Sequence, residues 1–219
     1  IDNQHILTKT KIKVPNKYLN DWILAKALTR LITPKSKFYF ITSFSKEKTN
    51  KKNVFIFPPI LRQELFNLKN ISKEDFVLVY STFASLEFVE KLKNLKERFV
   101  IYGFNKNSSE KNLFFKKNNS QFFLEDLSRC KAVIANAGFG LISEALYFKK
   151  PYFAIPLKNH FEQTYNAIKL KELGYGDWSD RIETEMLEKF IKNLFTYEKN
   201  LENYPRENNL KFFSSLETI

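Results

Sequence analysis

The sequence predicts an α/β fold built on a parallel sheet, and three observations carry that expectation. From Phe76 onward, short apolar runs alternate with segments of helical period, as repeated β-turn-α units require. Gly138 and Gly140 stand between one such apolar run and one such helical segment. The composition is that of a globular chain, 219 residues with 43% hydrophobic and 27% charged side chains. Collagen-like, low-complexity and disordered classes are thereby set aside. No run approaches the roughly 18 apolar residues of a membrane-spanning helix, and the N-terminus lacks the charged-then-apolar layout of a signal peptide.

The elements follow in order. After a polar opening, residues 18–32 read as a helix carrying Trp22 and Leu28, 38–42 as a strand and 46–53 as a loop. A segment this small cannot bury a core alone and must pack on something else. Residues 76–80 form a buried strand, Ser81-Thr82 a turn and cap, and Leu86, Val89 and Leu92 fall at helical spacing. Strands are expected at 99–102, 113–115 and 132–135, with a brief helix over 124–130 before the last of them. The turn 136–140 leads into a helix with Leu141, Ile142, Ala145 and Leu146, and Pro151 starts the strand 152–155. A helix over 160–173 stops at Gly174, and Met186 to Phe195 mark one amphipathic helix after Thr184. Pro205 starts or kinks a final helix. The expected division is 1–53, 54–200 and 201–219.

Thirty-six Lys and Arg against 24 Asp and Glu give a formal charge of +12, which draws a chain toward phosphates, anionic lipid or nucleic acid. The basic residues gather at 9–17, 46–52 and 111–117, stretches rich in Asn, Ser and Thr that read as solvated loops. No nucleic-acid module is recognisable, so no nucleic-acid partner is expected, while peripheral contact with a membrane surface stays open. The single cysteine, Cys130, cannot form an internal disulfide, and His5 and His160 are the only histidines. No metal and no cofactor are expected, and a reducing, cytoplasmic compartment follows. Ile at position 1 points to a processed chain or part of a larger protein.

The chemistry concentrates between Asn136 and Ala167. Without Cβ atoms at Gly138 and Gly140, backbone N–H groups can approach a diphosphate, and the positive end of the following helix favours the anion. Glu144, one turn further on, can accept hydrogen bonds from both ribose hydroxyls. Glu162, Gln163 and Asn166 fall near the start of the next helix, where amide and carboxylate groups read sugar hydroxyls. Taken singly, each feature has a plainer reading: a tight β-to-α connection, a solvated glutamate, helix capping.

Asn136-Ala137-Gly138-Phe139-Gly140, Ser143-Glu144, Pro151, Pro156, Glu162-Gln163 and Asn166-Ala167, in this order and spacing, resemble the C-terminal domain signature of GT-B glycosyltransferases. The nearest likeness is to glycosyltransferase family 28, typified by the peptidoglycan lipid-intermediate N-acetylglucosaminyltransferase. About thirty residues carry the strong match. Pro59-Ile60-Leu61-Arg62 resembles, with one extra residue, the short Pro-x-Arg approach to that domain. Ile1-Asp2-Asn3-Gln4-His5 and the Trp22 helix resemble the closing part of the N-terminal domain.

The resemblance implies a Rossmann-like donor domain, the C-terminal half of a GT-B fold, with 1–53 the end of the acceptor domain, 54–200 the donor domain and 201–219 a C-terminal helix. Its donor would be a nucleotide-sugar, usually a UDP-sugar, serving as substrate. By position, Arg62, Ser81, Thr82, Gly138, Phe139 and Gly140 would lie near the diphosphate, Glu144 on the ribose, and Glu162 and Gln163 on the sugar, with the base read by backbone near Phe122. Two departures stand out: Ser81-Thr82-Phe83-Ala84 replaces a glycine-rich loop, and Lys149-Lys150 replaces the usual Gly before Pro151. The implied activity is an inverting, metal-independent sugar transfer completed by an N-terminal acceptor domain in cis or in trans, and no catalytic base is assignable. Alternatives are a nucleotide-sugar hydrolase or epimerase, and a non-catalytic donor-binding subunit.

Overall fold

The computed structural model describes residues 2–33, 35–68, 72–80 and 86–216. In chain order the elements are α1 (Ile6–Lys9), α2 (Leu19–Ile32), β1 (Tyr39–Thr42), β2 (Val54–Phe57), α3 (Glu64–Asn67), β3 (Val77–Tyr80), α4 (Leu86–Lys93), β4 (Phe99–Tyr102), β5 (Ser108–Glu110) and β6 (Leu113–Phe115). They continue as α5 (Ser120–Arg129), β7 (Ala132–Asn136), α6 (Phe139–Tyr147), β8 (Tyr152–Ile155), α7 (Phe161–Glu172), β9 (Gly176–Trp178), α8 (Thr184–Lys192), α9 (Leu194–Leu201) and α10 (Leu210–Leu216).

Seven strands form the main sheet in the order β5-β6-β4-β3-β7-β8-β9. Every neighbouring pair is parallel except β5 with β6. Every residue of β4, β7 and β8 is buried, because helices cover both faces. Side chains of α5, α6 and α7 pack with Leu78, Val100 and Val133 on one face. Those of α4 and α8 pack with Val77, Ile101 and Ile134 on the other. This alternation along each strand reflects the two-residue repeat of extended chain.

From β3 the chain winds outward through β4 and β6, then returns to β7 on the other side of β3. Such a reversal opens a crevice outside the carboxyl ends of the central strands, the place where open α/β sheets bind ligands. Tyr80 closes β3 and Asn136 closes β7 at that edge.

The first segment packs on the sheet region through α7. Strands β1 and β2 pair in parallel, and Asp2 bridges to Ile41. Ile6, Leu7, Ile41 and Val54 bury themselves against Phe161 and Tyr165 of α7. Because β2 completes this small sheet, residues 54–57 pack with the first segment. The chain's last part returns to the same place. The Asn209 side chain accepts from the Leu61 N–H (3.0 Å) and donates to the Leu61 carbonyl (2.7 Å), while Phe212 meets Phe57 edge-on at 5.1 Å.

Several element bounds differ from the sequence reading for local reasons. Asn119, accepting from the N–H groups of Gln121 and Phe122, starts α5 at Ser120 instead of Leu124. The helix expected to run on from Thr184 breaks at Asn193, whose side-chain amide donates to the Lys189 carbonyl at 2.7 Å and competes with the backbone ladder. Residues Pro205 to Asn209 precede α10 instead of starting it, with Arg206 Nε bonded to the Tyr147 carbonyl. The edge strands β5 and β9 carry Ser, Glu, Gly and Asp, so no apolar run announced them.

One helix face has no cover. Of α2 only Thr29 is buried, while Leu19, Ile23, Leu24, Leu28, Leu31 and Ile32 are exposed, Leu31 by 80%. These positions recur at helical spacing and form a continuous apolar stripe. Among the described residues no helix is long and apolar enough to cross a membrane.

Candidate nucleotide site

The link from β7 to α6 is held from three directions. Asn166 of α7 donates to the Ala137 carbonyl at 3.1 Å, Asn136 donates to the Ile155 carbonyl at 3.1 Å, and the buried Tyr152 hydroxyl donates to the Asn136 carbonyl at 2.5 Å. Burial pushes that hydroxyl's pKa up, keeping it a donor. Gly138 then caps α6 with ordinary extended angles (φ −69°, ψ 132°) and no side-chain cap bond. A Cβ added at Gly138 or Gly140 would meet nothing within 4 Å. Packing therefore demands neither glycine, and the space where a Cβ would stand is open at both. Gly176 is the contrast: a Cβ there would fall 1.8 Å from the Tyr152 carbonyl oxygen.

One turn into α6, Glu144 is 7% exposed. Arg62 grips it with a two-pronged ion pair, Nε to Oε1 at 2.6 Å and Nη2 to Oε2 at 2.9 Å. Both side chains line a cavity of about 420 Å³ together with Gly140, Tyr80, Tyr102 and Phe123. Tyr80 and Tyr102 are the last residues of β3 and β4, so the cavity lies at the carboxyl edge of the sheet beside α6. Phe123 stands edge-on to both rings, at 5.4 and 5.2 Å. The Tyr102 hydroxyl donates to Asp126 Oδ2 at 2.6 Å, and Lys116 pairs with the same oxygen at 2.7 Å. Burial first, and the Asp126 carboxylate second, hold the Tyr102 pKa far above its usual range. The lining of the cavity thus combines aromatic rings, hydrogen-bonding groups and a paired carboxylate.

The structure gathers Arg62, Gly140 and Glu144 in one cavity, with Gly138 and Phe139 adjoining. Phe139 stacks on Phe44 at 5.9 Å. Phe122 is 57% exposed, and its N–H is taken by Asn119 Oδ1 at 3.0 Å. The next residue, Phe123, is the one that lines the cavity, since each step along a helix turns the side chain by about 100°. Ser81 and Thr82 lie outside the described residues. Glu162 and Gln163 sit in the first turn of α7 and do not line this cavity. Gln163 Oε1 accepts from the Leu157 N–H at 3.0 Å. Burial raises the Glu162 pKa, against the opposing effects of His160 and a hydrogen bond with Gln4.

His160 adjoins a separate cavity of about 770 Å³ with Pro156, Lys158 and Lys91, and His5 Nδ1 lies 2.6 Å from Asp2 Oδ2. Burial raises the Cys130 thiol to about 12, which leaves it unreactive. Among the described residues no group of three His, Cys, Asp or Glu is placed to hold a metal ion. Sequence reasoning passed over Tyr80, Tyr102 and Phe123. The readable signal for two of them was a polar-tipped aromatic closing each apolar strand run.

The family model for glycosyl transferase family 1 matches residues 1–195. The chain belongs to this family. No curated protein sequence matches it. Among solved structures, the calicheamicin glycosyltransferase CalG4 is similar at a TM-score of 0.60 and 15% identity, over 92% of this chain and 57% of CalG4. The spinosyn forosaminyltransferase SpnP is similar at a TM-score of 0.57 and 10% identity, over 94% of this chain and 64% of SpnP. The spinosyn rhamnosyltransferase SpnG, complexed with thymidine diphosphate, gives a TM-score of 0.52 at 14% identity, over 67% of this chain and 46% of SpnG. At such identities the likeness shows the fold, that of GT-B glycosyltransferases, and this family 1 chain spans about half to two thirds of their length.

Proposed function

We propose that this chain is the donor-binding part of a glycosyltransferase that transfers a sugar from a nucleoside diphosphate, UDP first among the candidates, to an acceptor held by a further domain. The observation that carries the reading is the cavity at the sheet's carboxyl edge, where Gly140, in the first turn of α6 and with open space where a Cβ would stand, lies one turn before Glu144. A diphosphate there meets the positive end of the helix. Glu144 offers two oxygens to a ribose diol, and the rings of Tyr80, Tyr102 and Phe123 offer an apolar bed for a base. Glu162 and Gln163, on the adjoining helix start, are proposed for the sugar, and Ser81 and Thr82 for the diphosphate. The finer likeness to family 28 rests on the motif run between Asn136 and Ala167.

Transfer in this reading is inverting and metal-independent. Charge growing on the leaving diphosphate meets the α6 N–H groups and Arg62. The acceptor base belongs to the acceptor domain, in cis or in trans, and the uncovered stripe of α2 supports an additional domain packing there. The formal charge of +12 supports peripheral contact with anionic lipid.

Calorimetric titration with UDP, UDP-N-acetylglucosamine, UDP-glucose and a dTDP-sugar tests the reading. Wild type is expected to bind at least one selectively in moderate salt. Glu144→Ala is expected to lose about tenfold or more in affinity, the scale of hydrogen bonds to a charged group. Equal binding by Glu144→Ala and wild type would remove the ribose assignment.

A further inference from the structure

Both oxygens that a ribose diol would use on Glu144 already accept a hydrogen bond. Arg62 donates to Oε1 at 2.6 Å and to Oε2 at 2.9 Å. The carboxylate side chain is only 10% exposed, whereas that of Arg62 is 38% exposed, and both line the cavity. Each oxygen keeps a second lone pair, so a ribose either shares the carboxylate with Arg62 or displaces it. Displacement alone would strand a nearly buried negative charge until the hydroxyls arrive, and would strip the guanidinium of its partner. A ligand that brings its own anion within reach of Arg62 avoids the second loss.

The fold supplies the place for such an anion. Gly140 lies four residues before Glu144 on the same face of α6, about 6 Å along the axis. Gly140, Glu144 and Arg62 line one cavity. That distance is within the length of a flexible arginine side chain.

We infer that Arg62 is an exchangeable partner, released from Glu144 to the diphosphate as the ribose takes its place. This rests on the reading of the cavity as a nucleoside diphosphate site and adds to it a rule of selection. The pair makes ribose recognition conditional on phosphate: nucleosides must break the ion pair and give Arg62 nothing, monophosphates compensate it in part, and diphosphates replace it fully. Between turnovers the same pair keeps Glu144 satisfied.

The rule is tested by measuring affinities for UDP, UMP and uridine, by calorimetry and ligand-observed NMR, on wild type, Arg62→Ala and Arg62→Gln. Thermal unfolding serves as the control for folding. Arg62→Ala is expected to bind UDP about tenfold more weakly, as for loss of a charge-assisted bond to phosphate, yet to bind uridine more tightly than wild type does. Arg62→Gln, which keeps one hydrogen bond to Glu144, is expected to fall between. Opposite signs for UDP and uridine support the exchange. If Arg62→Ala weakens both ligands by the same factor, Arg62 only buttresses Glu144 and the inference is wrong; if it changes neither, Arg62 stands outside the site. Failure of wild type to bind UDP overturns the nucleotide reading itself, a result distinct from parallel losses in the variants.

Discussion

Helices α2 and α7 have similar lengths, fourteen and twelve residues, and both carry apolar side chains at helical spacing. Their environments are opposite. Helix α7 buries Phe161, Thr164, Tyr165, Asn166, Ala167 and Leu170 between the sheet and the first segment. Helix α2 turns Trp22 and Ala25 inward and leaves its richer stripe, from Leu19 to Ile32, facing outward. An apolar stripe thus states what a helix needs and not whether the need is met. The sheet region completes its own core, whereas the first segment leaves one apolar helix face exposed.

The sharpest way to break that comparison is to make the same truncation in both regions. Leu146→Ala removes a fully buried side chain of α6 and is expected to cost about 2–5 kcal/mol, through lost burial plus the cavity left behind. Leu31→Ala, at a position 80% exposed, is expected to stay within about 0.5 kcal/mol. Urea unfolding midpoints of the two variants decide the matter. Comparable costs would mean that α2 is covered in solution.

A second contrast lies in alkaline stability. Burial is the first cause holding the hydroxyls of Tyr102, Tyr165 and Tyr204 above the ordinary value of 10.0. Asp126 adds to it at Tyr102, and Glu47 at Tyr165. A raised tyrosine keeps its proton in the native state after the unfolded state has released it, so stability is expected to fall as pH rises past about 10. Tyrosinate absorbance from these residues is expected to appear together with loss of far-ultraviolet ellipticity. Ionisation well ahead of unfolding would contradict their burial.

Much of this was readable in the sequence, and the failures have physical causes. The strands at 99–102, 113–115 and 152–155 appear with the bounds expected, because runs buried on both faces are continuously apolar. The glycine turn before α6 was readable for the same reason, set between two strong patterns. Short edge strands such as β5 expose their side chains and leave no pattern to read. The place of Phe123 on the cavity depends on the register of α5, which Asn119 fixes through a cap. The Arg62–Glu144 pair joins residues 82 positions apart and arises only when the segment before α3 docks on α6. The uncovered face of α2 was equally hidden, since its spacing is the same whether or not it is covered.

The most direct test of the central claim is to measure UDP affinity and thermal stability side by side for wild type and Gly140→Ala. Open space above Gly140 and the higher helix propensity of alanine predict a variant as stable as wild type, or more stable by about 0.5–1 kcal/mol. They also predict markedly weaker UDP binding, because the added methyl occupies the ground on which the diphosphate approaches the α6 N–H groups. An equally stable Gly140→Ala that binds UDP as wild type does would show that the diphosphate does not dock at the start of α6.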